Sequence, residues 1–306
     1  MHIAFVVNRM WQSVIVILIV SFIAFFIVRL SGDPVALMLP QEATLEDIAR
    51  VRSQYGFDKP IYEQYFNFLQ NVARGEFGQS LRYHQPALLL VLERMPATLE
   101  LAFSATLVSL LVSIPLGIIG ATRRNSVWDH LATFGALVGQ SMPVYWLGIM
   151  LILVFAVHFQ LLPTSGHGTI QQLALPTIAL STALMARLTR MVRAGLLDVL
   201  GQDYIRTARS KGLIERVVLY RHALKNCLIP VITVIGWQFG TLLGGSVVTE
   251  VVFAWPGMGR LAAQAITARD YPVVQAVILV ISLLFISINF LVDIVYTYVD
   301  PRIRFS

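Results

Sequence analysis

Long apolar runs alternate with shorter polar segments along this chain, and the first run, Met10–Val28, sets the scale. Its 19 residues are broken only by Trp11, Gln12, Ser13 and Ser21. At about 1.5 Å rise per residue they reach roughly the 30 Å of a bilayer's hydrocarbon core. Arg9 precedes the run, but the run is long for a signal-peptide core and no A-x-A-like site follows before Arg29. It is read as an uncleaved first spanning helix. Five further runs follow: Thr98–Gly120, Leu131–Phe159 with Pro143, the short Leu173–Ala186, Leu228–Val252, and Val273–Val299. Proline and glycine inside such runs are tolerated because neighbouring helices re-satisfy the backbone. The pattern predicts an all-α integral membrane protein with six transmembrane helices.

Between the first two runs the pattern changes. Ser31–Met95 mixes charges of both signs. Thr44 with Asp47 marks a helix start and Gly56 a stop. Pro60 fits the first turn of a second helix, whose Ile61, Tyr65, Phe68, Leu69 and Val72 keep helical spacing to Gly75. Pro86 opens a third, short helix predicted to end near Pro96. The expected division is residues 1–30 as N-terminus and first helix, 31–95 as a small helical extracytoplasmic subdomain, and 96–306 as a five-helix core. A subdomain of this size holds little core of its own and is expected to rest on the membrane helices or on a partner.

Composition agrees with the pattern. Hydrophobic residues make up 57% and charged residues 13%, against about 25% charged in soluble domains. The net charge of +6 comes from residues that interrupt apolar runs without exposed aromatic interleaving, which points to topology and not to nucleic acid. With the N-terminus inside, 14 of the 23 Lys and Arg fall on that side: Arg9, Arg123, Arg124, Arg302, Arg304 and nine between Arg187 and Lys225. Both termini and the long loop are therefore expected in the cytoplasm, with 31–95 outside. One cysteine, Cys227, leaves no intrachain disulfide or Cys-based metal site, and the six histidines are scattered; no metal site is expected.

The segment Arg187–Pro230 concentrates the positive charge. Asp203 is predicted to N-cap a helix from Tyr204, and Gly212 to supply its C′ residue. Leu213–Leu224 then reads as an amphipathic surface stretch. A loop that only fixes topology needs charge but no capped helix, so this one has the form of a docking element. Arg187 and Arg190 read as snorkelling anchors. Gly236, Gly240 and Gly244 repeat at four-residue spacing, a small-residue face that serves either packing within the chain or a seam with a second membrane subunit. Asp293 lies inside the last run near its cytoplasmic end, which favours an ion pair or a wet position over a proton relay. No lysine follows a glycine, so there is no P-loop, and no catalytic constellation stands out; ATP, if used, is handled by another polypeptide.

The stretch Tyr204-Ile205-Arg206-Thr207-Ala208-Arg209-Ser210-Lys211-Gly212-Leu213, with His222-Ala223-Leu224 and Ile229-Pro230, resembles the cytoplasmic signature loop of ABC importer permeases, specifically the dipeptide/oligopeptide/nickel branch, which includes glutathione systems. The match extends through Gly32-Asp33-Pro34, Gly75-Glu76-Phe77-Gly78, Pro96-Ala97-Thr98-Leu99, Gly244-Gly245-Ser246, Phe253-Ala254-Trp255-Pro256-Gly257-Met258-Gly259, Arg269-Asp270-Tyr271-Pro272 and Asp300-Pro301-Arg302-Ile303-Arg304. It covers essentially the whole chain. The general signature carries Glu-Ala-Ala where this chain has Arg206-Thr207-Ala208, so the contact made by that glutamate is not carried over. The difference is similar to the peptide branch.

The resemblance implies a type I importer fold in a bacterial inner membrane. It implies a homologous second permease, two ABC ATPases that bind ATP and Mg, and an extracytoplasmic binding protein that delivers small peptides or related solutes. Asp203–Gly212 would be the coupling helix seated in an ATPase, within a coupling loop of residues 187–227. Gly236, Gly240, Gly244 and Gly245 would be candidates for permease–permease packing or the pathway. A secondary transporter or channel is the competing reading, weakened by few intramembrane charges and no visible internal repeat. A membrane enzyme lacks a catalytic set.

Overall fold

The computed structural model describes residues 3–30, 44–54, 56 and 58–299. The Gly32-Asp33-Pro34 and Asp300-to-Arg304 motifs lie outside them. The helices are α1 Ile3–Leu30, α2 Leu45–Gln54, α3 Ile61–Ala73, α4 Ala87–Thr122, α5 Val127–Ser141, α6 Val144–Leu151, α7 Ile170–Leu200, α8 Asp203–Ser210, α9 Leu224–Gly245, α10 Val247–Val252, α11 Met258–Thr267 and α12 Tyr271–Val299. The chain forms two compact units, Met1–Pro96 with Pro256–Ile286, and Ala97–Trp255 with Ser287–Ser306.

In the first unit, α1 is apolar on every side, as a helix surrounded by lipid is. One patch of it is covered. Ser21 and Phe25 are buried, the Ser21 hydroxyl lies 2.9 Å from the Tyr65 hydroxyl, and Phe25 packs edge-on against Tyr65 and tilted against Phe68 of α3. The short helix α3 thus rests on α1, as expected of a segment too small to hold a core of its own. A second cluster joins the start of α4 (Ala87, Leu90, Val91) to α11 (Met258, Leu261, Ala265) and the first half of α12 (Val273, Val274, Ala276, Val277, Val280). Asp270, immediately before α12, is buried and accepts hydrogen bonds from the Ser80 hydroxyl and the Leu81 and Arg82 amides. It pins the turn after Gly78 to the α11–α12 corner.

Three elements differ from the sequence expectation. The short helix predicted to stop near Pro96 does not stop there; α4 runs unbroken through Pro96 for 36 residues. The apolar neighbours of α4 on both sides of the proline, Val91, Ala97 and Leu101, are all buried, and their packing holds a helix that proline alone disfavours.

In the second unit, the run Leu131–Phe159 is not one helix. The chain bends by 104° between α5 and the segment from Val144. Met142 is extended, with φ −82° and ψ 126°, because the ring of Pro143 excludes the α region from the residue before it. Beyond α6 the chain continues as a π-helical stretch, Ile152–His158.

The fourth run also differs: α7 does not end at Ala186 but continues to Leu200. Its start is set by a reciprocal capping box between Thr169 and Gln172. Its buried stripe continues past the arginines through Leu188, Val192 and Leu196, so tertiary packing carries the helix through a charged stretch. Among the described residues, three helices are long and apolar enough to cross a membrane, and two bent pairs raise this to five. The expected short span Leu173–Ala186 is the N-terminal part of α7, a helix that does not itself meet that length-and-composition test.

Candidate functional site

Gly201 and Gln202 separate α7 from α8, so the short basic helix hangs directly from the C-terminal end of a 31-residue rod. Gln202, not Asp203, occupies the N-cap and makes no side-chain cap bond; Asp203 is the first helical residue. A carboxylate there still meets the positive end of the helix dipole. The C-terminal end follows the sequence expectation closely. Gly212 takes φ +76°, its amide donates to the Arg209 carbonyl at 2.9 Å, and the Leu213 amide donates to the Ala208 carbonyl at 3.4 Å. These paired 5→2 and 6→1 bonds make a Schellman stop.

The helix is two-faced. Ile205 and Ala208, one turn apart, are buried, and α8 packs on the Val218–Ala223 π-helical turn, where Val218 and Ala223 are fully buried. The Tyr204 hydroxyl accepts from Asn226 Nδ2 at 2.9 Å. Asp203, Arg206, Thr207, Arg209, Ser210, Lys211 and Gly212 are exposed. Ile214, beside them, is 75% exposed. Arg209 grips Glu215 through two guanidinium nitrogens, Nη2 at 2.6 Å and Nε at 3.1 Å. The partner raises the arginine's pKa and lowers the carboxyl's, chiefly through these hydrogen bonds. The result is a solvated, basic, firmly seated knob with an apolar rim. Val218 and Ala223 form part of its base, while Leu213, Ile214, Val217 and Tyr220 stay exposed.

The C-terminal half of α7 is tied to its neighbours by three arginines. Arg187 donates to Gln238 Oε1 of α9 at 2.7 Å, and Arg190 to Gln140 Oε1 of α5. Arg193 donates to both oxygens of Asp129, at 2.5 and 2.8 Å. Arg187 and Arg190 therefore act as interhelical braces. Their glutamine partners carry no distinctive sequence spacing. Asp129 also accepts from the Asn125 amide at 3.0 Å, which fixes the turn between α4 and α5.

The glycine face divides. A Cβ at Gly236 would overlap the Val292 side chain of α12, so this glycine serves a close helix approach within the chain. Gly240 is buried, whereas Gly244 is exposed with open space beside it; Gly245 is the last residue of α9. Asp293 lies part-buried in the last two turns of α12.

One polar cluster had no counterpart in the sequence reading. Glu250 of α10 is fully buried and accepts from the Thr98 hydroxyl at 2.8 Å and the Ser246 hydroxyl at 2.9 Å. Beside it, Trp255 Nε1 donates to the Ala97 carbonyl at 2.8 Å. The one carboxylate in the run Val247–Val252 was the available signal.

The geometry is that of a helical membrane scaffold with an exposed basic knob. Comparisons with known proteins agree in kind. Residues 113–305 match the family model "Binding-protein-dependent transport system inner membrane component", and residues 2–102 match the N-terminal model of the same membrane components. The chain is 41% identical to the glutathione transport system permease protein GsiC of Escherichia coli strain K12, over 99% of each chain. It is 38% identical to the dipeptide transport system permease protein DppB of Alkalihalophilus pseudofirmus, again over 99% of each. Among solved structures, a chain of the MetNI methionine ABC transporter in an inward-facing conformation superposes with a TM-score of 0.58 at 19% identity, covering 69% of this chain and 97% of that one. That likeness shows the type I importer fold.

Proposed function

The chain belongs to the inner-membrane components of binding-protein-dependent transport systems, and from that premise we propose that it is one of two permeases in an ATP-driven importer of small peptides or related solutes. The names of its relatives, one a dipeptide and one a glutathione permease, support that substrate class. The second permease is a homologue of this chain, and an extracytoplasmic binding protein delivers the solute.

The observation that carries the reading is α8. Its buried face, Ile205 and Ala208, is fixed to the chain, and its other face is polar, basic and exposed. A rigid protrusion with no covering of its own is suited to a groove in another protein. In this reading each of two ATPases binds ATP and Mg, and one of them receives α8. Closure of the ATPases pushes α8, and the push travels along α7, about 46 Å long at helical rise, whose inner half is braced by Arg187, Arg190 and Arg193. Lys and Arg counting puts α8 and both termini in the cytoplasm. Gly244, the open member of the glycine face, is the one placed to meet the second permease.

Uptake into proteoliposomes holding both permeases, both ATPases and the binding protein tests this. Uptake should require hydrolysable ATP and persist when the proton gradient is collapsed. Uptake that continues without ATP and stops with the gradient would establish the secondary-transporter reading instead.

A further inference from the structure

Arg187 and Arg190 sit one turn apart on α7, and each donates to a glutamine of a different neighbour, Gln238 of α9 and Gln140 of α5. A glutamine oxygen orients a guanidinium without neutralising it, and the amide nitrogen beside that oxygen is itself a donor. Arg187 and Gln140 are exposed, and Arg190 and Gln238 are half-buried. The four side chains form an accessible polar band across α5, α7 and α9.

The band lies deep. Cys227 Sγ donates to the Val192 carbonyl at 3.4 Å, and a Cβ at Gly120 would stand 3.1 Å from Arg193 Cδ. The last turn of α4, Val192 and Arg193 of α7 and Cys227 of α9 therefore share one level, just before the basic pair Arg123 and Arg124. Because α4 is long and apolar enough to span, this level marks one edge of the membrane. Arg187 lies six residues back along α7, about 9 Å from that edge. Gln238 lies eleven residues beyond Cys227, about 16 Å along α9. Side chains on a helix tilt toward its N-terminus, which for α7 is away from this edge, and the bond to Gln238 draws the Arg187 guanidinium the same way. In a hydrocarbon core of about 30 Å, an accessible charge is thus carried toward mid-bilayer. Lipid is a costly neighbour for such a group, and a water-filled path is its usual surrounding.

We propose that Arg187, backed by Arg190, is a carboxylate-binding point on the wall of the solute's path, and that it takes the terminal carboxylate of a peptide in transit. The inference rests on the importer reading above. A guanidinium fork matches a carboxylate through two parallel hydrogen bonds. The glutamines hold the forks in place yet leave them accessible, and a contact shared with water is weak enough to release the solute.

The complete importer in proteoliposomes tests this, supplied with an equimolar mixture of di- and tripeptides and the same peptides as C-terminal amides. Mass spectrometry of the lumen gives the ratio of imported acids to amides. The binding protein is the same in every arm, so a change in that ratio between variants arises in the permease. Arg187→Gln should lower the ratio about tenfold, the scale of one hydrogen bond to a charged group, while the loaded binding protein still stimulates ATP hydrolysis. Gln238→Glu separates recognition from bracing, because it keeps the brace as an ion pair but occupies the guanidinium. That complex should melt at or above the wild-type temperature and still lose most of the ratio. Arg187→Lys, with the charge but no fork, should fall between. An unchanged ratio, or acids and amides reduced equally, would overturn the proposal and leave the importer reading standing. With the native Cys227 buried, Gln238→Cys should react with a charged maleimide when the complex is in nanodiscs. No reaction, with or without ATP, would set this face against lipid and overturn the proposal too. No ATP-dependent uptake of any peptide by the wild type would defeat the peptide-importer reading, and the site with it.

Discussion

Arg193 and Asp129 form a two-pronged ion pair, at 2.5 and 2.8 Å, that fastens the C-terminal end of α7 to the first turn of α5. Asp129 is almost wholly buried and Arg193 mostly so. Seven residues further along α7 the chain leaves its helix for α8, so this pair fixes the root of the proposed lever.

Breaking one partner strands the other. Asp129→Ala or Arg193→Ala should destabilise the protein by about 3 kcal/mol, the cost of a buried charge left without its counterion. The double substitution should cost less than the sum of the singles. Thermal unfolding of the purified complex in detergent, arranged as a double-mutant cycle, measures this; simple additivity would deny that the pair matters.

Gly212 sits at φ +76° with open space where a side chain would stand. The position therefore tolerates bulk within this chain but strains any residue with a Cβ, by about 1–2 kcal/mol. Gly212→Trp combines that strain with bulk on the docking face. It should insert normally, yet hydrolyse ATP with little uptake. Gly212→Asn, which accepts the left-handed conformation more readily, should keep most coupling. Moles of solute imported per ATP report both outcomes, and wild-type coupling in the tryptophan variant would argue against a docking role.

The glycines of α9 should behave differently from one another. Gly236→Leu drives a side chain into Val292 and should cost about 1–3 kcal/mol by overpacking, with Val292→Ala restoring part of it. Gly244→Cys should leave stability unchanged and crosslink to the second permease, whereas Gly240→Cys, at a buried position, should not. Melting curves and gel mobility after oxidation separate the two behaviours, and crosslinking from Gly240→Cys but not Gly244→Cys would reverse the assignment.

How much of this was legible in the sequence depended on the range of the forces involved. The stop at Gly212 was readable because a left-handed C′ residue is a local requirement that only a few residue types meet. The first spanning helix was readable because lipid asks only for a continuous apolar run. The continuation of α7 past Arg187 was not, since it depends on Leu188, Val192 and Leu196 being buried by other helices and on Gln140 and Gln238 meeting the arginines. The bend at Pro143 was half legible: the proline was visible, but whether its neighbours would absorb it or yield to it is settled by tertiary packing. The pairing of Glu250 with Thr98 spans 152 residues, and a single sequence carries no mark of it.

Where ATP energy enters this subunit is tested most directly at α8. Arg206 is 74% exposed on the outward face, and the native Cys227 is buried, so Arg206→Cys supplies a new accessible thiol. Treated with a short bifunctional maleimide in membranes that contain the whole transporter, it should join this chain to an ATPase subunit carrying a cysteine at the rim of its groove. The joined complex should hydrolyse ATP without import once the link blocks the helix's movement. Crosslinks absent from Arg206→Cys but present from a cysteine elsewhere on the cytoplasmic surface, such as Arg124→Cys, would place the ATPase contact away from α8 and contradict the proposed route.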